Sequence, residues 1–320
     1  MFLSASFRLL VNVESLNSVE SVGNLSRHRS VPVVVPYDSG YTIRYVPAIS
    51  GESIAHGYQS LLVDIALREG LPVGVYSRRK EFLKFSEDTY LKDEGVEPPK
   101  DHDDITRFEV DVLLKDIVAD VGGFLYAGDI PVKRTSRFQV GYMLPALEDV
   151  TNAAALEAQF HVRFLLSRPS KSSSQETSSQ EEPSLGQIPY NIEAASALYT
   201  FTFNLDIDGI GVPVNTFGKA DQKKEEELAK QRVARRKAAL KALALFVSQI
   251  AFGARHSRYL PNAELMSCTF ALSDIPFTVS AGNYRNYIER TFTRAEKLSR
   301  LLGIKTRVWA AVREEKVQVP

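Results

Sequence analysis

Cysteine is nearly absent: Cys268 is the single one in 320 residues. One thiol cannot close an intrachain disulfide, so nothing calls for an oxidising compartment. No apolar run approaches the ~20 residues of a membrane span, and the N-terminal residues lack a signal-peptide layout. The expectation is a soluble cytoplasmic protein without a membrane partner. The common phosphate and nucleophile motifs are missing too: there is no G-x-x-x-x-G-K-[ST], G-x-G-x-x-G or G-x-S-x-G, so nucleotide hydrolysis, dinucleotide binding and hydrolase chemistry have no motif behind them. His28, His56, His102, His161 and His256 never stand at H-x-x-x-H spacing. With one cysteine no zinc ligand set forms, and no metal or cofactor is expected. Asp101-His102-Asp103-Asp104 reads as a solvated acidic turn, and Cys268, in an apolar strand, as a buried structural thiol.

Net charge is also lacking, since 39 Lys and Arg balance 39 Asp and Glu. The average conceals a division. Residues 81–120 hold 13 acidic side chains against 5 basic ones, and residues 219–258 hold 11 basic against 4 acidic. Segregation on this scale suggests an acidic and a basic surface with different tasks. A zero net charge therefore does not exclude nucleic acid.

What is present alternates strands and helices irregularly. Phe2–Val13 reads as a half-buried strand, residues 14–31 as a polar loop, and Val31–Val35 with Tyr41–Val46 as a hairpin around Asp38-Ser39-Gly40. Ser50-Gly51-Glu52-Ser53 opens the clearest helix, which Gly70 and Pro72 end. Residues 71–133 read as an acidic, partly helical insertion. Strand patterns return at Arg137–Leu147, Glu157–Leu166 and Ala197–Asp206, the last a clean alternator. Ser167–Pro189, rich in Ser, Gln, Glu and Pro, reads as a mobile loop. A long helix follows over Asp221–Ala251, with Val233, Leu240, Leu243, Val247 and Ile250 as its apolar stripe, then a strand at Leu265–Leu272 and a helix around Tyr284–Leu302. The expected class is α+β: a ferredoxin-like βαββαβ core, an antiparallel sheet with helices on one face, and large insertions.

Several small basic, hydroxyl-rich clusters suit a phosphodiester backbone. Asn24, Arg27, His28 and Arg29 lie in the first polar loop. Ser50, Gly51 and Ser53 stand at a helix N-terminus, where hydroxyls and free N–H groups attract anions and where an ordinary N-cap is the alternative. Lys133, Arg134, Ser136 and Arg137 precede a strand. His161 and Arg163 share one strand face opposite Phe160, Val162 and Phe164. Gly253, Arg255, His256 and Arg258 form a basic loop between helix and strand. None of these is built to read bases in a duplex groove.

The blocks Val11–Asn17, Gly23-Asn24-Leu25, Arg44–Glu52, Asp120–Phe124, Arg134–Arg137, Ala158–Phe164, Ala197–Phe201 and Ser257–Pro261 resemble the DevR-type CRISPR-associated family, in particular its archaeal type I-A Cascade backbone subunits. The resemblance runs from residue 1 to about 280. It implies a modified RNA-recognition-motif core in a non-catalytic backbone subunit that polymerises along CRISPR RNA (crRNA). Such a subunit binds the sugar-phosphate backbone without sequence preference and presents the spacer to target DNA. Implied partners are crRNA, target DNA through the guide, copies of the chain in a helical filament, and other Cascade subunits. By position, the family's RNA-facing elements fall on the clusters just named.

The expected organisation is a core of 1–70, 134–166 and 195–280, an insertion of 71–133, a mobile loop of a thumb-like hairpin at 167–194, and a C-terminal helical segment at 281–320. Related type III subunits cleave RNA with an aspartate in the first loop, but Gly23–Val31 holds no carboxylate. The alternative is a metal-independent endoribonuclease that processes crRNA through His28 or His161. A duplex-DNA autoregulator is a third reading, carried by the family's older name; no helix-turn-helix pattern supports it.

Overall fold

The computed structural model describes residues 1–150, 154–166, 185–249 and 252–313. The first part of the chain forms β1 (Phe2–Glu14), β2 (Ser18–Val22), β3 (Leu25–His28), β4 (Ser30–Tyr37), β5 (Gly40–Pro47) and α1 (Gly51–Arg68). The insertion forms α2 (Val75–Arg78), α3 (Asp88–Glu94), α4 (Ile105–Lys115), α5 (Ile117–Gly122), β6 (Phe124–Tyr126) and β7 (Val132–Arg134). Then come β8 (Phe138–Val140), β9 (Leu144–Pro145), β10 (Ala154–Leu166), β11 (Leu185–Asp206), α6 (Gln222–Gln249), β12 (Asn262–Ser273), α7 (Tyr287–Leu302) and β13 (Thr306–Val312).

Alternation along β1 decides the architecture. Ala5, Phe7, Leu9 and Val11 face one side, Ser4, Ser6 and Arg8 the other, and both sets are buried. A strand buried on both faces lies in the middle of a sheet covered twice. β1 pairs antiparallel with β11 on one edge and β12 on the other, and β13 extends the sheet beyond β12. β8, β9 and β10 share the far edge of β11. One pairing departs from the expected antiparallel sheet: β3 lies parallel to β11, Leu25 beside Asn191.

On the aromatic face, Tyr58 of α1 stands edge-on to Phe138 and Phe203, with ring centroids 4.8 and 4.9 Å away, and its hydroxyl donates to the Ala239 carbonyl of α6 at 3.0 Å. The buried face of α6 keeps only part of the expected stripe: Leu243 is buried and Val247 packs against the core. Leu228, Ala238, Ala239, Ala242, Leu243 and Phe246 face inward, whereas Val233 is 61% and Leu240 37% exposed. Alanines let α6 lie close to α1, so closeness of approach rather than side-chain size chose the packing face. Ile250 lies outside the described residues.

The helices are not confined to one face. α7 and residues 277–283 cover the Ser/Thr face of the sheet. The Tyr287 hydroxyl donates to Ser267 Oγ at 3.0 Å, the Val279 N–H to Ser4 Oγ at 3.0 Å, and Arg8 to the Gly282 carbonyl at 2.8 Å. Hydroxyls spaced along β1 and β12 give the covering segment hydrogen-bond partners that an apolar face would lack.

Four other boundaries differ from expectation. Residues 14–31 form two short strands, Arg137–Leu147 is split into β8 and β9, and the C-terminal segment adds an edge strand to its helix. Residues 185–194, expected as loop, belong to β11 and continue past its last partner on β1, Ala195. The rest of the expected mobile loop, 167–184, lies outside the described residues.

The insertion has its own core of Phe85, Leu91, Phe108, Val112, Leu113, Phe124, Tyr126 and Val132, which Leu228 of α6 joins. A buried ionic network ties it down. Arg134 reaches Glu109 at 2.7 Å and Asp120 at 2.6 Å, and Arg235 reaches Asp120 at 3.0 Å, all four side chains being fully buried.

Candidate nucleic-acid interface

Strand alternation through β3 places His28 inward and its neighbours Arg27 and Arg29 outward. His28 is 3% exposed. Its Nδ1 donates to the Arg29 carbonyl at 2.8 Å, and Nε2 lies 2.8 Å from Glu14 Oε1, itself fully buried. Burial alone would lower the pKa of this imidazole, but the Glu14 carboxylate outweighs it and the net shift is upward. The same Glu14 oxygen accepts from the Tyr199 hydroxyl at 2.7 Å. His28 is therefore enclosed, with both ring nitrogens engaged inside the protein, and is poorly placed to contact RNA or to act as a general base. The sequence places it in a loop because its contact with Glu14, made once β3 docks beside β11, is a tertiary event.

Arg29 turns into a cleft of about 610 Å³, lined also by Ser50, Gly51, Ser136 and Tyr142. Its guanidinium lies 5.9 Å from the Tyr142 ring and donates to that hydroxyl at 3.3 Å. Three expected residues thus meet Arg29 in one place. The Ser50 hydroxyl is engaged as the N-cap of α1, accepting from the Ser53 N–H at 3.3 Å, which is the ordinary capping role. Ser136 Oγ donates to the Phe138 carbonyl at 2.7 Å.

A second cluster lies where the β10–β11 arm meets the loop after α6. His161 stacks on Tyr190, with ring centroids 5.3 Å apart and planes 21° apart, and its Nε2 is hydrogen-bonded to the Tyr259 hydroxyl. Arg258 is exposed and donates to the Tyr190 hydroxyl at 3.0 Å. Arg255 donates to Ser18 Oγ at 2.8 Å, and His256 Nε2 to the Phe252 carbonyl at 2.7 Å. Gly253 serves the fold: at φ +88° an added Cβ would sit 2.7 Å from the Leu16 carbonyl oxygen. Asn24 Nδ2 donates to the Pro189 carbonyl at 3.4 Å, bringing the β2–β3 turn beside this arm. The side chain of Arg163 lies outside the described residues; its backbone pairs with Ile188.

The two clusters hang from one tripeptide. Leu16 accepts the Ala254 N–H at 2.8 Å, and the Asn17 carbonyl accepts the Arg29 N–H at 2.9 Å. Asn17 Oδ1 takes the Ser50 N–H at 2.6 Å, and Ser18 takes Arg255. Asn17, Ser18, Tyr142, Tyr190 and Tyr259 were missed as site residues, because uncharged residues carry no signal until the loops meet.

The 133–137 cluster divides. Lys133 is exposed. Arg134 is 2% exposed; besides its two carboxylates it donates to the carbonyls of Asp120, Val212 and Gly209, at 2.8–3.0 Å. Its donors are consumed inside the protein, and it is a structural residue. Arg137 pairs with Asp206 at 3.1 Å, and burial followed by the nearby Arg134 guanidinium depresses its pKa.

The chain resembles known proteins over nearly its whole length. The family model described as "CRISPR-associated negative auto-regulator DevR/Csa2" matches residues 5–292. The chain is 50% identical over 301 residues to a protein of Saccharolobus solfataricus named CRISPR-associated aCascade subunit Cas7/Csa2 2, covering 94% of this chain and 88% of that one. It is 28% identical over 307 residues to CRISPR-associated protein Cas7/Cst2/DevR of Methanocaldococcus jannaschii, covering 94% and 90%. Among solved structures, a chain of a "CRISPR RNA-guided surveillance complex, pre-nicking" superposes with a TM-score of 0.52 at 11% identity, covering 100% of this chain and 94% of that chain, which shows a shared fold. Among the described residues no helix is long and apolar enough to cross a membrane. The chain belongs to the DevR/Csa2 family of CRISPR-associated proteins.

Proposed function

We propose that the chain is a non-catalytic backbone subunit of a type I Cascade surveillance complex, binding the crRNA sugar-phosphate backbone without sequence preference. The observation that carries this reading is the gathering of two basic segments, at Arg29 and at Ala254-Arg255, and of the Ser50 helix start on Leu16-Asn17-Ser18, which joins the Arg29 cleft to the Arg255–Arg258 and His161 cluster. Arginines, tyrosine faces and a helix N-terminus in one run suit a single strand. The naming of a 50% identical relative as a Cascade subunit supports the assembly. Strand order supports an RNA-recognition-motif-like core. β12, β1 and β11 lie side by side with β8–β10 beyond, the order last, first, third, second of a ferredoxin-like sheet, with α1 after its first strand and α6 after its third.

The β10–β11 arm, which leaves β1 beyond Ala195, is the thumb-like projection of this reading. Filament copies, other Cascade subunits and target DNA paired to the guide are its partners. The enclosure of His28 counts against the endoribonuclease alternative, since one of its two candidate bases is held between Glu14 and the Arg29 carbonyl.

Equilibrium binding to guides of equal length and randomised sequence tests the proposal. Affinities agree within a few-fold and fall steeply with salt. Arg258→Ala weakens binding and lowers the slope of log K against log salt by about 0.7, the value for one single-strand phosphate contact. A strong preference for one guide sequence, or discrete cleavage of a precursor transcript in EDTA that is lost in His161→Ala, overturns it.

A further inference from the structure

The cleft that holds Arg29 has a floor which phosphate binding does not explain. α1 runs along it from Gly51 to Gln59, about 12 Å at 1.5 Å per residue. At its inner end lie Gln59, Lys84 and Gly122. Gln59 is 5% exposed, and its Nε2 donates to the Ala55 carbonyl at 3.1 Å, which assigns the other amide atom as oxygen. That oxygen, Oε1, is buried and has no hydrogen-bond partner. A buried carbonyl left unpaired costs its full desolvation.

Lys84 stands beside it. Its Nζ donates to the Gly122 carbonyl at 3.1 Å, and burial, opposed by Asp116, lowers its pKa to about 8. The backbone that brings it there is strained. Lys84 and Phe85 are consecutive non-glycine residues in the left-handed region, at φ +50° and +58°. Phe85 is anchored in the core of the insertion, so the strained pair directs a lysine of the acidic block back to the cleft. A Cβ on Gly122 would collide with Gln59 Oε1 and lie 2.9 Å from Lys84 Nζ, so the three positions converge on one point.

An acceptor beside a cationic donor does not match a phosphodiester, which only accepts and would be repelled by Oε1. It matches a hydroxyl, which donates once and accepts. We infer that this floor is a ribose subsite, where the 2′-hydroxyl of a nucleotide in the cleft donates to Gln59 Oε1 and accepts from Lys84 Nζ. The inference rests on the RNA-binding reading and adds a reason for RNA over DNA. The 2′-hydroxyl is common to all four ribonucleotides, so a subsite for it distinguishes the sugar while staying blind to sequence. Base edges also juxtapose donors and acceptors, but a fixed Gln–Lys pair would then select among bases.

The test compares an all-ribose guide with its all-2′-deoxy counterpart of identical sequence, on the full chain. Wild type prefers ribose by about tenfold or more, the effect of one buried hydrogen-bonding group. Gln59→Met, Lys84→Met and Gly122→Ala each bring the ratio toward one, thermal melting confirming that each variant folds. Arg258→Ala weakens both guides and leaves the ratio unchanged. Equal affinity of wild type for the two guides overturns the subsite, as does a ratio that survives both Gln59→Met and Lys84→Met. A Gln59-dependent change in affinity when one base is altered at constant sugar also overturns it, in favour of a base-reading pocket. If Arg258→Ala weakens RNA while the ratio never moves, the subsite alone fails; if Arg258→Ala leaves RNA affinity untouched, the RNA-binding reading fails with it.

Discussion

Between a buried carboxylate and a backbone carbonyl, the His28 ring is best matched when both its nitrogens carry protons. Its folded pKa lies above the ordinary histidine value of 6.5, so the stabilisation from this contact is complete below pH 6.5 and is lost as pH rises through the raised value. The chain is expected to melt at progressively lower temperature over that window. Glu14→Gln removes the partner and flattens the pH dependence. It also costs about 3–5 kcal/mol, as breaking one side of a buried ion pair does. Melting curves of both proteins from about pH 6 to pH 9 check this, and an unchanged slope in Glu14→Gln refutes it. At this scale the sequence is least legible. Arg134 and Arg258 look alike as members of basic clusters. What separates them is Glu109, 25 positions from Arg134, and Asp120, 14 positions away, both brought to it by folding.

Helices and strands were legible where the pattern is local. β1, the β4–β5 hairpin and α1 follow from alternation, turn residues and an N-cap, all contained within a few residues of chain. The inner face of α6 was not, because the choice between Val233 and Ala239 as the buried position depends on how near α1 comes. Ala239 is fully buried, and its carbonyl accepts from Tyr58. Ala239→Leu forces the two helices apart and is expected to cost about 1–3 kcal/mol. Val233→Ala, on the exposed side, changes stability by about 0.5 kcal/mol or less. Urea unfolding of the pair measures both, and equal effects would return Val233 to the packing face. β13 was missed because Thr306–Val312 is a short edge strand that pairs only with β12.

Across the whole molecule, the two charge blocks partly neutralise one another. Lys224 of α6 pairs with Asp111 of the insertion at 2.6 Å, and Arg235 with Asp120 at 3.0 Å. Two cations of the basic helix, Lys224 and Arg235, therefore serve to hold the insertion. On the proposed reading the RNA-facing cations come instead from loops spread along the chain, around residues 29 and 255–258. The acidic block is also less exposed than its composition suggests, since Glu109, Asp116 and Asp120 are buried. What remains at its surface includes Glu87, Glu97, Asp101 and Asp103, all exposed. Carboxylates there repel a polyanion and suit a protein neighbour. Replacing these four by lysine leaves the cleft and the Leu16-Asn17-Ser18 junction intact, so the affinity of a single subunit for a guide too short for two copies stays within about twofold at physiological salt, where screening limits distant charges to ~8 Å. Assembly on a long guide, followed by sedimentation, is expected to fail or stall at fewer copies, because the reversed surface no longer complements its neighbour. Weakened short-guide binding with normal assembly would place the acidic surface toward RNA and away from the neighbouring subunit.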